Sequence, residues 1–315
     1  MLRVSVTDRC HLRCRYCMPA DGVSFLPRTA LLTVSEFERV VQVAAGLGVT
    51  HVKLTGGEPT IRRDLLELVT RLRRIDGIER SMTTNGLRLA TLAGPLRDAG
   101  LDRVTVSIDS LRDDRYAEIT GGGRLSQVWR GLDAADAVFD GLKLNVVVMR
   151  GVNDDEIGDF ARLAVARDWT VRFIEFMPLG RSVLADQPAE AALVDAAEIE
   201  SMVIDAIGPL RSLDRDEPGI GPARAFATAA GRGRIGFIHA MSRPFCESCN
   251  RLRLDATGVL RSCLFDGGEI DLRPLLRSGA DVDDPAWRTT FAGCTAMKPT
   301  VHAARGDRAM SSIGG

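Results

Sequence analysis

Short β-branched runs and amphipathic helical stretches take turns along the first two-thirds of the chain, and this alternation is what most limits the folds open to it. Repeats of this kind build parallel sheets, because the helix carries the chain back to start the next strand in the same direction. The pattern predicts strands near Arg3–Val6, His51–Leu54, Arg80–Thr83, Arg103–Ile108, Lys143–Met149 and Thr170–Glu175, with helices between them. Thr33 followed three residues later by Glu36 is a capping-box start, and Phe37, Val40, Val41 and Ala44 then repeat at helical spacing. "DLLELVTRLRRI" and "IGDFARLAVARDW" each carry one apolar face. Six such units fall short of the eight that close a barrel, so an open or partial α/β barrel is expected.

Polar residues stand at the carboxyl ends of these strands: "TGGEP", "TTNG", "SIDS" and "EFM". In parallel β/α folds that edge binds ligands. Past residue 210 the pattern changes. Arg211–Arg234 is rich in Gly, Pro, Ala and Arg and reads as a linker or exposed loop. Short strand candidates follow, "RIGFIHA", "RLRLDA" and "GVLRSCLF", and then a final helical piece. The expected division is therefore 1–210 for the barrel and 211–315 for a C-terminal extension.

A net charge of −1 gives no global attraction to nucleic acid or membrane. No stretch approaches the ~20 apolar residues of a membrane span, and the chain opens on a strand-like "LRVSV". A cytoplasmic protein is expected. Six of the seven cysteines fall in two groups, Cys10, Cys14 and Cys17 (CxxxCxxC) and Cys246, Cys249 and Cys263. In a reducing compartment clustered thiols hold metal more often than disulfides. Each group stops at three. Structural zinc normally takes four protein ligands, and His11, His239 or Cys294 could supply a fourth. A cubane iron–sulfur cluster held by three cysteines leaves one iron open.

"CHLRCRYC" resembles the signature CxxxCxφC of the radical S-adenosylmethionine (radical SAM) superfamily, with Tyr16 as the aromatic residue, and "TGGEP" resembles its GGEP motif. The second triplet, "NRLRL" directly after Cys249, and the ending "MSSIGG" are similar to the GTP 3′,8-cyclases within that superfamily. The resemblance runs from Leu2 to Gly315. It implies a partial (β/α)6 TIM-type barrel of the radical SAM kind, with a C-terminal extension carrying a second Fe–S cluster.

By this resemblance Cys10, Cys14 and Cys17 hold a [4Fe–4S] cluster whose open iron binds S-adenosyl-L-methionine, and Tyr16, Gly57, Ser107 and Met177 line the cofactor site. Cys246, Cys249 and Cys263 hold a second [4Fe–4S] cluster whose open iron binds guanine. Arg3, Lys53, Thr83, Lys143, Arg251, Leu252 and Arg253 bind GTP. Arg251 and Arg253, two apart on a strand, share a face, as a polyanion site requires. Gly314 and Gly315 are implied to enter the active site. The implied reaction uses a 5′-deoxyadenosyl radical to take the C3′ hydrogen of GTP and form (8S)-3′,8-cyclo-7,8-dihydroguanosine 5′-triphosphate, an early step of molybdenum cofactor (molybdopterin) biosynthesis.

The implied partners are a reductant protein such as a flavodoxin or ferredoxin and a downstream cyclic pyranopterin monophosphate synthase; a homodimer is allowed. Lys53 stands where arginine is common among relatives, offering a point charge in place of a fork. Cys294 has no assigned counterpart, and a small buried hydrophobe is its expected role. The competing readings are a radical SAM peptide maturase with auxiliary clusters and a zinc-stabilised binding module.

Overall fold

A computed structural model describes the chain except for residues 20, 21, 23, 181–188, 214–222, 266, 307, 309, 314 and 315. Its first part is a run of parallel strands and covering helices: β1 (Leu2–Ser5), α1 (Val34–Gly46), β2 (His51–Thr55), α2 (Leu65–Leu72), β3 (Glu79–Thr84), α3 (Leu89–Ala99), β4 (Arg103–Ser107), α4 (Asp113–Thr120), α5 (Leu125–Asp136), β5 (Lys143–Val148), α6 (Ile157–Arg167) and β6 (Thr170–Glu175). Each of the six expected strands is present. The capping box forms as well: Thr33 Oγ1 accepts from Glu36 N (3.2 Å) and Glu36 Oε2 accepts from Thr33 N (2.8 Å).

The C-terminal part contains α7 (Ala189–Ala192), α8 (Ala196–Ile207), β7 (Leu210–Ser212), β8 (Arg224–Thr228), β9 (Arg234–Ile238), β10 (Leu252–Leu254), β11 (Val259–Arg261), β12 (Glu269–Asp271), α9 (Arg273–Arg277), α10 (Pro285–Ala296) and α11 (Met310–Ile313). All strands join one sheet in the order β12-β11-β10-β1-β2-β3-β4-β5-β6-β9-β8-β7. β10 pairs parallel with β1, and β9 pairs parallel with β6. The C-terminal part thus extends the barrel sheet from both of its edges, each extension ending in antiparallel strands.

The expected linker over Arg211–Arg234 needs correcting where it is described, because β8 lies within it and β7 ends there, while 214–222 lie outside the described residues. β8 pairs antiparallel with β9, Phe226 opposite Ile235, and the Phe226 ring meets Phe237 edge-on at 5.6 Å. Small residues hid this strand from a hydrophobicity pattern; its stability comes from the edge of β9 and from tertiary packing.

Alternation along each strand sorts the side chains. Leu2, Val4, Val52, Leu54, Met82, Val104, Val106, Leu144, Val146, Val171 and Phe173 are buried in one core with helix residues such as Phe37, Leu68, Leu96, Leu132 and Phe160. Full burial of each such side chain is worth about 1.5–3 kcal/mol. The alternate set, polar and basic, faces the interior of the curved sheet.

Candidate active site

The first cysteine loop leaves β1 and is gripped from two sides. From the "TGGEP" turn, Gly57 N donates to Thr7 O and Glu58 N donates to Arg9 O, both at 2.7 Å. From the end of α4, Thr120 O and Ile119 O accept from Arg13 N (2.8 Å) and Arg15 N (3.0 Å). A β-carbon at Gly57 would stand 2.3 Å from Arg9 O, so only glycine lets the loop seat this closely. Glu58, 1% exposed, accepts from Thr60 N, Thr60 Oγ1, Thr84 Oγ1 and Asn85 N, which ties the end of β2 to the "TTNG" end of β3.

Tyr16 is buried with Ile119, Met149 and Phe176, against which Cys14 and Cys17 pack. Its hydroxyl donates to Asp109 Oδ2 at 2.9 Å. Burial raises Asp109 to about 6, and its other oxygen accepts from Val147 N. The "SIDS" end of β4 therefore fixes the aromatic residue of the cysteine loop.

One cavity inside the curved sheet is lined by Tyr16, Ser107, Met177, Arg3, Lys53, Thr83, Lys143, Arg251, Arg253, Cys246, Cys249 and Cys263. The structure thus gathers most of the expected site residues, from strands at both ends of the chain. Cys10, Cys14, Cys17 and Gly57 are not among the lining residues; the first triplet sits beside Tyr16, which is. Leu252 pairs in register with Leu2 and packs against the helix-side core, so only its backbone is available to a ligand. Gly314 and Gly315 lie outside the described residues.

The cavity is strongly cationic. Burial, then neighbouring positive charges, lowers Arg3 to about 9, Lys143 to about 7, and Lys53 and Arg253 well below their usual ranges. Arg172, which the sequence reading missed, is 5% exposed and lowered to about 10 by burial. Arg172 Nη2 and Lys53 Nζ both donate to Thr105 Oγ1 at 3.2 Å. Arg172 occupies an interior position of β6 just as Lys53 does of β2, so the same alternation would have found it. Thr83 Oγ1, Asn145 Oδ1 and Arg172 Nε are buried with no hydrogen-bond partner among the described residues. Buried polar atoms are as a rule hydrogen-bonded, so these three atoms on the cavity wall are candidate contacts for a ligand or an ordered water.

The thiols suit iron–sulfur ligation. All seven cysteines are free, and the six in the two triplets are partly exposed. Burial raises Cys14 well above its usual value, and the charges of Cys17, Asp109 and Cys10 add to the rise; a cationic metal centre relieves that repulsion. Cys249 Sγ accepts from Arg251 Nε and Lys298 Nζ, both at 3.4 Å, and the nearby positive charges lower the thiol to about 7 against the effect of burial. Soft thiolate donors select iron–sulfur clusters or zinc. Among the described residues no three His, Cys, Asp or Glu side chains are grouped to hold a single metal ion. Cluster ligands bind separate corners of a larger group. Cys294 is fully buried in the core with Sγ directed at Leu260 O (3.7 Å), the role expected of it, and His239 stacks on Phe237.

Residues 4–164 match the Radical SAM superfamily, and residues 169–304 match Molybdenum Cofactor Synthesis C. The chain is 47% identical to the GTP 3′,8-cyclase of Pelotomaculum thermopropionicum over 320 aligned positions, covering all of this chain and 97% of the relative. It is 46% identical to the GTP 3′,8-cyclase of Moorella thermoacetica, with the same coverage. In fold it is similar to Streptococcus suis SuiB bound to its precursor peptide SuiA, at a TM-score of 0.62 and 14% identity, over 95% of this chain and 65% of that one. Methylornithine synthase is similar at a TM-score of 0.51 and 17% identity, over 65% and 63% of the two chains. These two likenesses concern the fold alone, whereas the sequence relatives match from end to end. The chain belongs to the GTP 3′,8-cyclase family of the radical SAM superfamily.

Proposed function

We propose that this protein closes the ring of GTP inside the cationic chamber, between a first [4Fe–4S] cluster with S-adenosylmethionine at Cys10, Cys14 and Cys17 and a second cluster at Cys246, Cys249 and Cys263. The observation that carries this reading is the row of Arg253, Arg3 and Lys53, in mutual register and with Arg253 and Lys53 buried, within a cavity that the second triplet also lines. Buried like charges at this density are compatible with a stable fold when a polyanion compensates them. When bound, the first cluster and its cofactor supply one-electron chemistry at the sugar.

The chain's own residues bind, orient and exclude water. Arg3, Arg251 and Arg253 offer fork-shaped donors to the triphosphate, and Lys53 and Lys143 add point charges. Thr83 and Asn145 carry polar atoms without a partner among the described residues, suited to ribose or base. Tyr16, held by Asp109, and Gly57, Ser107 and Met177 form the cofactor end. Enclosure by the curved sheet keeps solvent from a reactive intermediate. In this reading 1–210 form the catalytic barrel and 211–315 the extension that completes the substrate site. The enzyme works in the cytoplasm with a flavodoxin or ferredoxin as electron source, passes its product to a cyclic pyranopterin monophosphate synthase, and is compatible with a homodimer.

The test is anaerobic reconstitution with iron and sulfide, followed by incubation with reductant, S-adenosylmethionine and each nucleoside triphosphate in turn. GTP alone is expected to give both 5′-deoxyadenosine and a cyclised nucleotide. Zinc without iron, or turnover with ATP equal to that with GTP, would sink the reading.

A further inference from the structure

The segment from Lys298 to His302, "KPTVH", follows α10 and reaches every chain segment that carries a cysteine of the second triplet. Lys298 Nζ donates to Cys249 O and Arg251 O, each at 2.8 Å, and to Cys249 Sγ at 3.4 Å. His302 Nε2 lies 2.7 Å from Ala240 O, at the head of the stretch leading to Cys246, and donates to it in the Nε2–H tautomer. The His302 ring stacks on Phe265, two residues past Cys263, with centroids 4.0 Å apart and planes 13° from parallel. Ser262, next to Cys263, donates from Oγ to Met297 O at 3.4 Å.

An ammonium has three N–H donors. All three of Lys298 are directed at residues 249–251, so although Lys298 lines the chamber it has no donor left for a substrate phosphate. Its bonds to two carbonyls fix the turn that presents Cys249 and Arg251. Its bond to sulfur, beside that from Arg251 Nε, places a second charge-assisted donor on one ligand atom. Hydrogen bonds to ligating sulfur offset the negative charge that reduction adds to a cluster, and so raise its potential.

Resting on the reading that Cys246, Cys249 and Cys263 ligate the second cluster, we infer that Lys298 is a positioning residue for that cluster. It locks the 249–251 turn and holds the cluster's reduction potential above the value set by the thiolates alone.

The experiment uses the full chain, reconstituted anaerobically, as wild type, Lys298→Met and Lys298→Arg. Iron and sulfide content, chelator release of iron and EPR-monitored redox titration are measured, the first cluster being identified by its spectral response to S-adenosylmethionine. Lys298→Met is expected to shift the second cluster's midpoint to more negative potential and to release its iron about 10-fold faster. Lys298→Arg is expected to recover most of the potential, with the first cluster unchanged in both variants. If the methionine variant loses the second cluster outright, Lys298→Gln, which keeps donors without the charge, carries the redox measurement. A wild-type midpoint and release rate in the uncharged variants overturn the inference, as does an equal shift in both clusters. If instead Cys246→Ala leaves the iron content of the wild-type background unchanged, it is the ligand assignment of the second triplet that fails.

Discussion

Arg3 on β1 and Arg253 on β10 stand side by side in register, two arginines distant in sequence brought into one row on the cavity wall. Lys53 on β2 flanks Arg3 on the other side. Burial first, and then the charges of Arg3 and Arg251, hold Arg253 well below its usual range. The ligand-free protein carries this repulsion as a cost, which the triphosphate of the proposed substrate would offset.

Arg253→Met is therefore expected to weaken GTP binding about 10- to 100-fold, the worth of one charge-assisted contact of ~1.5–3 kcal/mol. The ligand-free melting temperature should stay level or rise, because a buried like charge is removed. Calorimetric titration and thermal melting check the two halves separately. Unchanged affinity with a lowered melting temperature would show the arginine to be structural.

Lys143 gives a proton-linked signature. Burial, then the charges of Arg172 and Arg103, lowers it to about 7, whereas an unfolded lysine titrates at about 10.4. Between these values the unfolded chain holds a proton that the folded, ligand-free protein lacks, so this group makes stability rise with pH across that window. A bound polyanion restores the charge, so GTP binding at pH 8 should take up protons and weaken as pH rises above about 7. Lys53, lowered for the same reasons, acts in the same sense. Titrations in two buffers of different ionisation enthalpy measure the uptake. Lys143→Met should remove much of it; an undiminished uptake in that variant assigns it elsewhere.

Gly57→Ala should displace the first cysteine loop, because the new β-carbon meets Arg9 O at 2.3 Å. Overpacking of this kind costs about 1–3 kcal/mol. Iron content should fall by the share of the first cluster while the second cluster's EPR signal persists. Full iron content would mean that the loop yields without losing its ligands.

Deleting Gly314 and Gly315 should leave cluster content and S-adenosylmethionine binding intact and abolish formation of the cyclised nucleotide. Product analysis of the truncated enzyme decides it, and full cyclisation would remove the tail from the active site.

Much of this protein was legible in its sequence because periodicity and motif chemistry are local. The six parallel strands, the capping box at Thr33 and both thiol triplets needed only neighbouring residues. The basic residues inside strand patterns, Arg3, Lys53, Lys143 and Arg253, were legible as residues of one strand face through alternation, while their convergence on one cavity was implied only by the family resemblance. The role of Glu58 was not legible: it holds two strand ends together through four hydrogen bonds. Nor was β8, whose small residues form a strand because β9 offers an edge to pair with.

The sequence by itself determined which chemical groups the chain carries: two sets of three thiols, a glycine-rich turn that follows the second strand, and basic residues inside strand patterns. Only the tertiary structure decided that the second triplet and the basic residues line one chamber, with the first triplet beside Tyr16 at its wall. β9 and β10 add to opposite edges of the barrel sheet, and such pairing is set by edge availability and burial across long separations, which no local pattern encodes. The clamp of Lys298 on Cys249 belongs to the same class, since a lysine after a helix acquires its meaning from the backbone carbonyls that the fold brings to it.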